Sequence, residues 1–148
     1  MDKGLAVVVA AGVGGLVGLQ APLNAILGRT VGSLQAAAFA LVVSTLCLVA
    51  LLALTGQGAG ELARVRDLSP LYVLGGGLIG AAYVGSSLVT VQALGAGSLT
   101  ALTISGQLAA AVTIDHFGVL GLARSPVTLT KLLGIALLAA GTYLVIRD

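Results

Sequence analysis

The sequence predicts an all-α integral membrane protein with five transmembrane helices in a single domain, residues 1–148. Three observations carry that expectation. Hydrophobic residues make up 58% of the chain and charged residues 8%, with a mean hydropathy of +1.14. A water-soluble domain has about 25% charged residues, so this chain lacks the means to cover a surface in water. Five stretches are apolar over the roughly 20 residues that a helix needs to cross a bilayer core. The gaps between them are too short to hold a soluble domain.

The stretches are Gly4–Leu27, Leu34–Leu54, Leu71–Ala93, Ser98–Phe117 and Leu132–Ile146. The first follows Asp2 and Lys3 and is longer than the 7–15 residues of a signal-peptide core, so it reads as a retained helix. Gly28–Ser33 then reads as a tight turn. The second connector, Thr55–Pro70, holds Glu61, Arg64, Arg66 and Asp67, and its Glu61–Arg66 segment is expected to form one turn of helix at the membrane surface. The third, Leu94–Gly97, is uncharged and very short. The fourth, Gly118–Lys131, carries Arg124 and Pro126. Such short connections make neighbouring helices antiparallel. No useful length of the chain alternates with the period of two that marks a strand.

The net charge of +2 comes from seven basic residues at helix ends. Scattered in this way they form no nucleic-acid patch and act instead as topology determinants. Lys3, Arg64, Arg66, Arg124 and Lys131 fall on one side and Arg29 and Arg147 on the other. That bias predicts a cytoplasmic N-terminus and an outside C-terminus. The single cysteine, Cys47, precludes a disulfide within the chain and reads as a small apolar residue. No nucleophile–base pair, phosphate loop or metal-ligand set occurs. Gly75-Gly76-Gly77 lacks the Lys-Ser or Lys-Thr of a phosphate loop. Catalytic residues, metals and cofactors are therefore not expected, nor is an enzyme.

A polar group without a partner in hydrocarbon costs several kcal/mol, so polar residues within the spans mark the faces that turn inward. Gln20 and Asn24 lie four apart, on one face of the first helix. Pro22 between them has no N–H, which frees the carbonyl of Gly18 and predicts a kink. Two readings stay open: one wall of a substrate path, as broken helices at depth provide in transporters, or a kink whose freed group is satisfied by a neighbouring helix. The third helix sets Gly76, Gly80, Tyr83, Ser87 and Thr90 on one face. Gly76–Gly80 and Gly14–Gly18 match the small-xxx-small spacing of close helix packing. The fourth helix carries a stripe of Thr100, Thr103, Gln107 and Ala111. Ser44 and Thr45 need only local partners, since such hydroxyls bond back to their own helix.

Asp115 is the only acidic residue inside a predicted span. A carboxylate at a helix C-terminus opposes the helix dipole, and His116, Arg124 and Lys131 are its nearest candidate partners. It reads either as a proton-coupling carboxylate or as half of an interfacial salt bridge.

Gln20-Ala21-Pro22-Leu23-Asn24 through Gly28-Arg29 and Gly32-Ser33 resembles the first helix and turn of the short, five-helix YdcZ-like proteins. Ser105-Gly106-Gln107, Asp115-His116-Phe117-Gly118 and Lys131-Leu132-Leu133-Gly134 followed by Gly141 extend the likeness over nearly the whole chain. That group belongs to the drug/metabolite transporter superfamily. The resemblance implies half of an inverted-repeat transporter in the inner membrane, completed by an inverted copy of itself or by a related five-helix chain, and moving a small solute. A non-transporting assembly subunit and a passive channel are the rival readings. On the transporter reading Gln20, Asn24, Tyr83, Ser87, Thr103 and Gln107 line a polar path between the first, third and fourth helices.

Overall fold

The computed structural model describes residues 2–56, 60 and 64–147. Helix α1 spans Lys3–Val31, α2 Ser33–Thr55, α3 Pro70–Phe117 and α4 Leu129–Arg147, with a 3₁₀ turn at Arg64–Asp67. All four α-helices are long and apolar enough to cross a membrane. Among the described residues there is no strand. Of the turn expected at Glu61–Arg66, residues 64–66 fall in the 3₁₀ turn, while residues 61–63 lie outside the described residues.

Five spans were expected and four such helices are observed, because the third and fourth stretches run together in the 48 residues of α3. Straight, α3 would measure about 72 Å at 1.5 Å per residue, against a hydrocarbon core of about 30 Å. It is not straight throughout. Gly95 has φ 78° and ψ 165°, a region that only glycine enters without strain.

The turn between α1 and α2 is tighter than predicted. Helix α1 continues to Val31, and Gly32 alone leaves the helical region, with φ 95° and ψ 146°. Its N–H donates to the Gly28 carbonyl at 2.9 Å, and its own carbonyl accepts from the Ala36 N–H at 2.9 Å. One residue therefore ends one helix and starts the next, with both of its own backbone groups paired. Helix α1 is continuous through Pro22.

The chain forms two compact units, Met1–Gln92 and Ala93–Asp148. In the first, Ala36 and Ala37 of α2 and Val84 and Leu88 of α3 form a small core, with Leu27, Leu41 and Tyr83 packed against it. The close approach is made at Gly28, where a Cβ would lie 3.7 Å from both Ala36 Cβ and Leu88 Cδ2. The glycine pairs Gly14–Gly18 and Gly76–Gly80, read as packing faces, do not pack within the chain: a Cβ at any of them meets nothing within 4 Å. In the second unit α4 is tied to the last part of α3 by hydroxyls. Ser105 Oγ and Thr142 Oγ1 are 2.7 Å apart, and both donate to the Ala101 carbonyl, at 2.9 and 3.2 Å. These three atoms share two hydroxyl protons, so at any instant one of the close approaches is made by lone pairs alone.

Most of each span is uncovered by the chain itself. The buried share of the most apolar window is 0% in α1, 6% in α2, 17% in α3 and 6% in α4. Leu16, Leu46, Ile79 and Leu137 are more than three-fifths exposed. Each such side chain left in water forfeits about 1.5–3 kcal/mol. The surrounding solvent is therefore lipid.

Two outcomes test this architecture. Gly95→Ala should lower stability in mixed micelles by about 1–3 kcal/mol, whereas Gly97→Ala, at ordinary helical dihedrals, should cost far less in the same unfolding experiment. Ser105→Ala combined with Thr142→Val should show a coupling of about 0.6 kcal/mol in a double-mutant cycle, the average for hydrogen bonds between membrane helices.

Candidate functional site

The hydroxyls of the spans are almost all spent on their own helices. Ser44 donates to the Ala40 carbonyl at 2.9 Å, Thr45 to Leu41 at 2.8 Å, Ser86 to Ala82 at 2.7 Å and Ser87 to Val84 at 2.9 Å. Thr103 bonds to the carbonyls of Leu99 and Thr100, both at 3.0 Å. This is the back-bonding that lets a short hydroxyl sit in hydrocarbon. It leaves lone pairs free while removing the demand for a donor's partner.

The carboxamides behave differently. Gln92 turns its amide back to the Leu88 carbonyl at 3.0 Å. The side-chain amides of Gln20, Asn24 and Gln107 make no such bond to any described residue. Each has two N–H donors and a carbonyl acceptor to satisfy. No fully buried side-chain polar atom lacks a partner among the described residues, so these amides are not sealed inside the protein.

Gln20 and Asn24 are half-buried, and two clefts meet at them. Toward α3, a narrow cleft with no room for a water molecule is lined by Gln20, Asn24, Tyr83, Val84 and Ser87, with Val17 and Ala21 behind. Four of the six residues predicted for the path are thus brought together. Thr103, half-buried, and Gln107, exposed, belong to the second unit and are not among that cleft's residues. Toward α2, a roomier pocket of about 250 Å³ is lined by Gln20, Asn24, Leu27, Phe39, Ala40, Val43 and Ser44. Sequence reasoning missed this second wall. Its signal was present in Ser44, one of two adjacent hydroxyls in the middle of a greasy helix, but nothing in α2 said which way that residue faced.

At the other end of α3 the loop to α4 closes over the helix terminus. The Ile114 carbonyl accepts from the N–H groups of Gly118 and Val119, at 2.9 and 3.4 Å, and the Asp115 carbonyl from the Ser125 N–H at 2.8 Å. Arg124 Nε donates to the His116 carbonyl at 3.0 Å. The last turn of a helix leaves four carbonyls without partners, and three consecutive ones are met here. A cation at this end also complements the helix dipole. His116 Nδ1 accepts from the Val127 N–H at 3.2 Å, which puts the neutral ring's proton on Nε2. Lys131 Nζ donates to Ser125 Oγ at 2.8 Å and to the carbonyls of Ser125 and Pro126, each at 3.3 Å. Arg124 and Lys131 thus serve the loop backbone, and none of these bonds reaches the half-buried Asp115 carboxylate. Among the described residues, no three His, Cys, Asp or Glu side chains gather as a metal site.

Long apolar helices, with Gln20, Asn24, Tyr83 and Ser87 gathered at one cleft, define a polytopic membrane protein. A family model described as "Putative inner membrane exporter, YdcZ" matches residues 5–144. The chain belongs to that family, and is a multi-pass inner-membrane protein of an exporter family. No curated protein and no solved structure matches the chain significantly.

The loop makes a testable claim. His116→Ala removes the acceptor for Val127 and should speed tryptic cleavage after Arg124 in membrane vesicles by several-fold, since a backbone hydrogen bond contributes about 1 kcal/mol. His116→Asn, which can restore an acceptor, should recover most of the protection.

Proposed function

We propose that the chain is one half of a small secondary transporter that exports a neutral or weakly charged solute, working as a dimer with an inverted copy or a related chain. The supporting observation is the unmet hydrogen-bonding capacity of Gln20, Asn24 and Gln107 in a chain whose membrane hydroxyls are satisfied locally. An amide left dry in hydrocarbon is costly. A solute that passes, with the water that replaces it, removes that cost intermittently.

On this reading the break at Gly95 divides α3 into two crossings, giving five in all and opposite sides for the two termini. The N-terminus lies in the cytoplasm, following the Lys/Arg bias. The residues proposed to carry the solute are Gln20, Asn24, Tyr83 and Ser87 of the first unit and Thr103 and Gln107 of the second. The α1–α3 cleft corresponds to a closed conformation that must widen for passage. The carbonyl of Gly18, freed by Pro22, lets α1 bend there at low cost. The glycine faces left open within the chain, around Gly14–Gly18 and Gly76–Gly80, are the surfaces available to the partner. Asp115 sits at the rim, as a coupling group or an interfacial ion-pair member.

Cells making the full chain should export at least one small solute that cells without it retain, as read by mass spectrometry of the medium. Asn24→Leu and Gln20→Leu should each cut that export about tenfold, the effect of losing one or two buried hydrogen bonds. Export unchanged in both variants removes the path assignment. No exported solute at all, with the chain inserted and folded, favours a non-transporting assembly subunit. Reporters on both termini, together with crosslinking, decide the crossing number and the partner's orientation.

A further inference from the structure

Gln20 and Asn24 are shared by two clefts, yet only the one facing α2 has room for a molecule. We infer that the α1–α2 pocket, and not the α1–α3 cleft, is where the solute first docks, and that it takes a neutral molecule pairing a carboxamide-like group with a small apolar or aromatic body. This rests on the transporter reading and adds to it a substrate class and a new wall, Phe39, Val43 and Ser44.

The chemistry of the lining selects the class. None of the pocket's residues is charged, so an ion entering it would lose its hydration without repayment. Gln20 and Asn24 stand one helical turn apart, each offering two donors and a carbonyl. A primary amide, with two donors and one acceptor of its own, can be met from both sides by such a pair. Ser44 Oγ donates to Ala40 and so presents its remaining lone pair to a donor. Beside Ser44 on α2, Phe39 and Val43 supply an apolar wall to a groove that is open on that side. The space of about 250 Å³ exceeds the roughly 150 Å³ that holds a benzene molecule in an engineered cavity, leaving room for a ring and an amide together. Depth agrees as well. Ser44 is the middle residue of α2, and Gln20 lies three residues past the middle of α1, where the midplane sites of transporters are found.

The test uses the full chain, purified in detergent, with radiolabelled N-acetylphenylalaninamide as the probe. N-acetylphenylalanine methyl ester lacks the primary amide's donors, and tetraphenylphosphonium is a permanent cation. Equilibrium dialysis should show saturable binding of the amide, binding of the ester weaker by about tenfold, and no saturable binding of the cation. Val43→Trp, which fills the pocket, should weaken amide binding by tenfold or more. Val42→Trp adds the same bulk to the exposed neighbouring position and should leave it unchanged, which separates occlusion from misfolding. Val43→Ala should retain binding. If Val43→Trp binds as the parent does while Asn24→Leu does not, the α2-side pocket is wrong and the transporter reading stands. Preference for the cation overturns the substrate class. Absence of saturable binding by either neutral probe overturns the pocket assignment, and the export measurement then judges the transporter reading separately.

Discussion

Hydrogen bonding in a medium without water governs this molecule. Lipid supplies no donors or acceptors, so every N–H, hydroxyl and carbonyl must be met by the protein or exposed at an opening. The chain obeys with local devices. One glycine joins α1 to α2 and uses both of its backbone groups to cap them. Serines and threonines fold back on their own helices. The loop after α3 delivers two backbone amides, a third from Ser125 and a guanidinium to consecutive carbonyls. Gln20 and Asn24 escape this economy, and they are the carboxamides that stand at the clefts.

Much of this was legible in the residues. Hydropathy located every apolar helix, because bilayer thickness imposes a length that few soluble helices combine with so little charge. The pairing of Gln20 with Asn24 followed from helical geometry alone, and the structure puts both beside Tyr83 and Ser87. The number of helices was harder. Leu94–Gly97 looked like a loop, yet Gly95 alone departs from helical dihedrals, since residues of small side chain remain compatible with either state. The same ambiguity misled the reading of Gly28–Ser33, four of whose six residues are helical in α1.

Tertiary direction was not legible. A helix as uniformly apolar as α2 has no polar face to orient it, so neither Ser44 nor Phe39 could be assigned to a wall. Glycine spacing did not single out the contact inside the chain for a related reason: with 22 glycines in the chain, the pairs Gly14–Gly18 and Gly76–Gly80 are open among the described residues, while the close contact falls at Gly28. The fate of Arg124 and Lys131 also needed coordinates. Charge counting treats both as free cations, whereas three-dimensional structure gives them to loop carbonyls.

The helices differ greatly in length. Helix α1, of 29 residues, extends about 44 Å, while α4, of 19 residues, extends about 29 Å. Only the second matches a core of about 30 Å, and the first must lean or carry its ends into the headgroups. Acyl-chain length thereby becomes a structural variable. A thicker bilayer brings α1 more upright and a thinner one lays it over, and the Gln20–Asn24 turn rotates with it. The lipid acts here as more than a container, since its thickness biases the tilt at which the chain presents Gln20 and Asn24.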